Sequence, residues 1–466
     1  MRPAALALVV AVGIVAAQTV DRTKPPQTAP LPAFKLPPVY ETKLANGLAV
    51  ELVEDARFPL VTVRLAFLEA GSKVDPPDLA GLADAAGTLL KEGTKTRPSK
   101  QIAEELAQIG GSLRGDATRD SIAIGASALS EHAGNLLELV ADVGRNAIFP
   151  ADEVKLYRQN QKQRLAARRA QAEFQADERF NALLFGSHPY ARVSPTPESI
   201  DKLSGEALAK FRDTYLVPNN AVLIVLGKLP ARAGLLRQIE QRFGSWERRP
   251  LPARPAAKPP ESKTRIALVD RPGSVQADIR VGKVALTRSD PDHFPMVVGN
   301  AMLGSGTSSR LFMNIREKKG YAYQANSLLM RYRESGYFSV ITQVRNEVLG
   351  EAMDAVLAEL DHMAQVPAPA SELSNIKNFL SGTFVMSLES QSGLADQLVL
   401  VKTMGLTNNY LETYTTRVRS TEPDQVQKAA QRYIAPADAT IVVVGDASKI
   451  GEALKKLGEV EVSKAQ

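Results

Sequence analysis

The chain has 466 residues, with 44% apolar and 23% charged side chains and a formal net charge of +6. This composition is ordinary for a globular protein and, at about 100–200 residues per domain, allows two to four domains. Cysteine is absent, which excludes disulfides, thiolate nucleophiles and lipid attachment through a thiol. Basic residues cluster only at Arg164–Arg169 and Lys318-Lys319, without interleaved aromatics, so they read as solvated helix faces and no nucleic-acid partner is expected.

In chain order, the first segment is a basic Met1-Arg2, an apolar run Ala4–Val15 and the small pair Ala16-Ala17. This is the layout of a secretory signal peptide over residues 1–17, and it implies a periplasmic or extracellular product. The run falls short of the roughly 20 residues a membrane span needs; an uncleaved anchor is the alternative. Residues 18–38 form a Pro-rich extended leader. The first domain, 39–247, opens on strands Ala49–Val53 and Val61–Phe67. Helices Leu79–Leu90 and Ser99–Ile109 follow, then a strand at Ser121–Ser127 and long helices at Glu131–Asn146 and Asp152–Gln175. Residues 248–263, rich in proline, read as a linker, because proline fixes φ and removes a backbone donor. The second domain, 264–460, repeats the order with strands Thr264–Val269 and Ala277–Val284, helices Pro291–Leu303 and Ser308–Glu317, and a strand at Phe338–Val344.

The two domains are copies. Tyr215-Leu-Val-Pro-Asn-Asn-Ala-Val-Leu-Ile-Val-Leu-Gly227 closes the first, and Tyr433-Ile-Ala-Pro-Ala-Asp-Ala-Thr-Ile-Val-Val-Val-Gly445 closes the second, about 218 positions on. Phe149-Pro150-Ala151 is matched with Val366-Pro367-Ala368 at nearly the same offset. Alternating strands followed by amphipathic helices give an α+β fold. Two homologous domains, each a mainly antiparallel sheet covered by helices on one face, form a clam-like pair.

The block Gly81-Leu82-Ala83-Asp84-Ala85-Ala86-Gly87-Thr88-Leu89-Leu90-Lys91-Glu92-Gly93-Thr94 resembles the pitrilysin/insulinase peptidase family, in the branch of the mitochondrial processing peptidases. The resemblance runs from about Tyr40 to Val460. Active members carry the inverted zinc motif H-x-x-E-H on this helix, with two histidine ligands and a glutamate as general base. Here Asp84, Gly87 and Thr88 stand at those places. The family's third ligand, a glutamate on a later helix, has no counterpart, since no Asp or Glu occurs from Val154 to Ala172. The resemblance therefore implies no metal in this chain and no autonomous peptide hydrolysis. The four histidines, His132, His188, His293 and His362, lack ligand spacing. His188-Pro189-Tyr190 reads as a structural turn, and the other three as helix-surface residues.

The second domain keeps a different family signature: Leu303-Gly304-Ser305-Gly306 leads to Ile315-Arg316-Glu317-Lys318-Lys319-Gly320-Tyr321-Ala322-Tyr323. The resemblance gives Arg316 and Tyr323 a role in holding a peptide carbonyl and its oxyanion at a zinc site, as a guanidinium and a phenol can. It gives the loop Gly304, Ser305 and Gly306 a substrate contact. On the first domain, an edge strand that would pair with peptide carries Arg114-Gly115 where the family has Asn-Ala. Together these imply a non-catalytic, substrate-binding subunit of an exported two-chain zinc peptidase. Its partner would be a homologous zinc-binding subunit, and its substrate an extended peptide. The other reading is a structural or peptide-binding protein of the same fold with no proteolytic role.

Overall fold

The computed structural model describes residues 34–254 and 257–465, so the expected signal segment and residues 18–33 of the leader lie outside the described residues. Each half builds one mixed six-stranded sheet. The first contains β1 (Val39–Lys43), β2 (Ala49–Glu54), β3 (Leu60–Phe67), β4 (Ser112–Ala117), β5 (Ile122–Leu129) and β6 (Ala221–Gly227), ordered β1-β2-β6-β3-β5-β4. The second contains β7 (Arg265–Asp270), β8 (Gln276–Ala285), β9 (Ala322–Arg331), β10 (Gly336–Arg345), β11 (Thr440–Gly445) and β12 (Val460–Lys464), ordered β12-β7-β11-β8-β10-β9. The α+β class and the duplication are as the sequence implies. Most pairs are antiparallel; β2 with β6, and β7 with β11 and β12, are parallel. No helix among the described residues is long and apolar enough to cross a membrane.

The expectation of one covered face per sheet is corrected. β6 and β11 are buried along their whole length. On the first sheet, Val61, Val63, Leu65, Leu223 and Val225 face one apolar core, while Ala66, Val222, Ile224 and Leu226 join another. Period-two alternation puts the two sets on opposite faces. The second covering layer comes from the other half. Helix Ala172–Phe185, from the first half, lies on β8 and β11. Helix Gln391–Thr403, from the second, lies on β3 and β6.

This exchange is fixed by matching polar contacts. Arg64 on β3 donates through Nε to Asp396 Oδ1 (2.7 Å) and through Nη2 to Ser392 Oγ (2.6 Å) on the incoming helix. Arg280 on β8 donates through Nε to Asp177 Oδ1 (2.7 Å) and through Nη2 to the Glu173 carbonyl (3.2 Å). Each guanidinium also bonds the carbonyl of the residue before it, Val63 or Ile279. A third cross-half contact buries Lys73 completely between Glu69 (2.8 Å), Asp120 (3.2 Å) and Glu334 (2.9 Å).

Several expected elements change. The helix expected over 152–175 is two helices, Ala151–Arg169 and Ala172–Phe185. At the break the Gln175 side chain donates to the Arg169 carbonyl (2.6 Å), satisfying an end that would otherwise be orphaned. The helix expected over 308–317 is wound as a π-helix, Phe312–Lys318. The pairing of Pro150 with Pro367 shifts as well: the helices that correspond begin after Pro150 and Pro369. Residues 34–38 of the leader form no helix or strand and are held, with Phe34 edge-on to Phe384 at 6.4 Å. His293 is not on a helix surface but fully buried, with Nε2 at 3.0 Å from the Tyr410 hydroxyl. His188 is buried in its turn, where Nδ1 accepts from the Tyr190 amide (3.1 Å).

Candidate functional site

Helix Leu82–Leu89 occupies the place of the zinc helix, packed under β4 at the sheet edge. Its entry is built by Asp75, whose two carboxylate oxygens accept from the Gly81 and Ala83 amides at 2.9 Å. Burial pushes the Asp75 carboxyl up to about 7, against the opposing pull of those amides. Asp84 is exposed and accepts through Oδ2 from the Tyr157 hydroxyl (2.6 Å). Burial and the adjacent Asp84 charge hold the Tyr157 phenol well above its ordinary range.

Gly87, at the general-base position, leaves a side chain little room: an added Cβ would come within 3.1 Å of the Asp116 backbone, which would have to give by a few tenths of an ångström. A Cβ on Gly115 would in turn lie 2.2 Å from the Gly87 carbonyl oxygen. The edge strand therefore rests directly on the helix backbone. Thr88 is half-buried beside it. The residues here do not fit zinc. The Asp84 carboxylate is engaged by a phenol, no Asp or Glu lies from Val154 to Ala172 on the facing helix, and no three His, Cys, Asp or Glu side chains are placed to hold a metal ion among the described residues. A cavity of about 320 Å³ remains beside Asp84, lined by Asp75, Gln161, Arg119, Arg168 and Arg192 among others. Its arginines are occupied: Arg192 donates to the Asp75 carbonyl, Arg119 to the Tyr190 carbonyl, and Arg168 lies 4.1 Å over Phe174.

The Arg316/Tyr323 pair is brought together. The guanidinium lies 4.9 Å over the Tyr323 ring and 4.6 Å over the Phe312 ring, with Glu317 at 3.5 Å. Phe312 and Arg316 belong to the π-helix, a winding that adds a residue to the turn and re-aims the side chains that follow. Tyr323 is 77% exposed near the start of edge strand β9. It opens on a groove of about 340 Å³ whose lining is mainly polar, including Glu173, Gln276, Asp278, Gln324, Asn326 and Gln343. Burial raises the Asp278 carboxyl, which accepts from the Gln343 amide at 3.0 Å. Sequence reasoning missed Asp278, which has no motif around it and looks like one polar residue in a strand. No residue lines both this groove and the Asp84 cavity.

Of the loop residues, Gly304 is buried at the end of helix His293–Gly304, where an added Cβ would meet the Ser327 amide at 2.1 Å. Gly306 is exposed at φ 91°, a left-handed value that suits glycine, and Ser305 is half-buried. Arg114 is exposed on β4, beside Gly115.

Comparison with known proteins places this frame. Residues 49–194 match the model of the insulinase family, peptidase family M16, and residues 202–380 match that of the peptidase M16 inactive domain. The chain belongs to the M16 peptidase family. It is 28% identical to an uncharacterized zinc protease of Mycobacterium tuberculosis, over 79% of this chain and 84% of that one. It is 22% identical to a probable mitochondrial-processing peptidase subunit beta of Arabidopsis thaliana, over 88% and 78%. A crystal structure of a peptidase M16 inactive domain from Pseudomonas fluorescens superposes with a TM-score of 0.81 at 25% identity, covering 88% of this chain and 98% of that one.

Proposed function

We propose that the chain is a non-catalytic subunit of an exported two-chain zinc peptidase: it holds an extended peptide and lends Arg316 and Tyr323 to a zinc site carried by a homologous partner. The observation that carries this reading is the asymmetry between the halves. The zinc helix lacks the ligands and leaves little room for a general base, while Arg316 lies over the ring of Tyr323, an exposed tyrosine that lines a polar groove. Relatives named zinc protease and mitochondrial-processing peptidase subunit support a peptide as substrate. The basic-apolar-small start of the sequence supports export. At the partner's site a guanidinium and a phenol would stabilise the oxyanion formed when water adds to the scissile carbonyl; removing one such donor costs about 10²–10³ in kcat. The test is co-expression with an H-x-x-E-H partner and a peptide-hydrolysis assay. Arg316→Ala and Tyr323→Phe should each lower kcat with little change in assembly; unchanged turnover in both would sink the reading. The engagement of Arg316 by Glu317 and two rings favours the second reading, a peptide-binding protein without a proteolytic role. That reading predicts peptide binding with no gain in any partner's turnover.

A further inference from the structure

A second cluster of charge lies outside both places described above. Buried His293 and Tyr410 face each other, and Arg288 Nη1 donates to the same Tyr410 hydroxyl at 3.2 Å. Arg417 is exposed, with its guanidinium 5.5 Å over the Phe294 ring; that ring lies 4.8 Å from the His293 ring and 5.9 Å from the Tyr410 ring. Arg331, half-buried at the end of β9, completes the set: its charge acts on His293 and on Tyr414.

These groups are under-satisfied. Nε of Arg288, Nε of Arg331 and Nδ1 of His293 are buried without hydrogen-bond partners. Burial and the charges of Arg331, Arg288 and Arg417 hold the imidazole neutral, its pKa pressed down to about 2. Burial and Arg288 push Arg331 down to about 10. Among the described residues no carboxylate acts on either group. Of the other buried basic side chains, Arg64 has Asp396, Arg280 has Asp177 and Lys73 has three acids, while Lys283 donates to the Ala437 carbonyl. Gathering three guanidiniums with no counter-charge is costly, because each raises the energy of the others in a medium that screens poorly.

We propose that Arg288, Arg331 and Arg417 form a binding site for a phosphate oxyanion, with His293 and Tyr410 as its floor and Arg417 at its open side. The charge count favours a multiply charged phosphate over a single carboxylate, and guanidinium forks fit phosphate oxygens two at a time. The neutral imidazole adds no charge but can donate one N–H. The ligand is a free phosphate or pyrophosphate, or the phosphoryl group of a small organic molecule.

The test is calorimetric titration and thermal unfolding of the full chain with pyrophosphate, inorganic phosphate and glycerol 3-phosphate, with sodium chloride and acetate at matched ionic strength as controls. A saturable rise in Tm with at least one phosphate, absent with acetate and chloride, is expected. Which phosphate binds tightest identifies the source. Arg417→Gln, at an exposed position, should fold normally and weaken binding about tenfold. Arg331→Met should raise the Tm of the ligand-free protein, because it removes an uncompensated charge, and should abolish the phosphate response. No saturable response in the wild type, an equal response to acetate, or unchanged binding by Arg417→Gln would overturn the site. So would an Arg331→Met chain that is less stable yet still binds.

Discussion

The two halves share one joint and use it differently. In the first sheet Leu65 pairs with Ile124, which pairs with Gly115, and Gly115 rests on Gly87 of the helix below. In the second, Val281 pairs with Val340, which pairs with Ser327, and Ser327 abuts Gly304. The positions correspond strand for strand. In the second half a glycine ends the helix and the chain continues through an exposed loop to the π-helix that bears Arg316. In the first half a glycine at the same joint removes the general base and lets the edge strand close on the helix. The difference is one of packing as well as of side chains: in the first half the edge strand, through Gly115, sits directly on the Gly87 carbonyl.

The largest effect is expected from breaking the exchange. Arg280→Ala and Arg64→Ala should each cost about 2 kcal/mol in urea or guanidinium unfolding, since each empties the place of a buried guanidinium and leaves a half-exposed carboxylate of the crossing helix without its partner. A large loss from one and none from the other would break the equivalence of the halves. Next comes restoration of the zinc motif. A triple variant Asp84→His, Gly87→Glu, Thr88→His should lose about 2 kcal/mol, because the new Glu side chain meets the Asp116 backbone, and should bind no stoichiometric zinc by elemental analysis. A well-folded, zinc-loaded product would show that substitution alone silenced the helix.

The third prediction separates the halves by pH. His293 stays neutral in the fold while the unfolded chain takes up a proton below about pH 6.5, so stability should fall on acidification by about 1.4 kcal/mol per pH unit. Asp75 acts in the opposite sense: its raised carboxyl contributes stability below about pH 4 that is lost as pH rises toward 7. The difference between wild type and His293→Gln therefore isolates the second half. Parallel stability–pH curves for the two proteins from pH 6.5 to 5 would contradict the neutral assignment. The smallest effect is expected from Tyr323→Phe, which should change stability by less than about 0.5 kcal/mol while lowering turnover in a complex. A large loss of stability would mark the tyrosine as packing.

The strands and the duplication were legible because period-two alternation and the two Tyr-…-Gly closing blocks are local signals. The departures from the zinc motif at Asp84, Gly87 and Thr88 were legible as well. Other features were not. The break at Ala170-Gln171 has no Gly or Pro to mark it, and it is imposed by a helix that must cross to the other sheet. The second covered face is a tertiary fact, since the acids that meet Arg64 and Arg280 arrive from 332 and 103 residues away. Burial of His293 depends on a Tyr410 supplied by a distant helix. The π-winding at Phe312–Lys318 leaves the spacing of Leu311, Phe312 and Ile315 unchanged from what an α-helix would show.

The crossed helices have one more consequence. Each sheet is finished by a piece of the other copy, so the molecule has the topology of a domain-swapped homodimer whose two chains were fused through the segment at 248–263. Cutting that segment should leave the two fragments bound to each other, and each expressed alone should expose an unroofed apolar sheet.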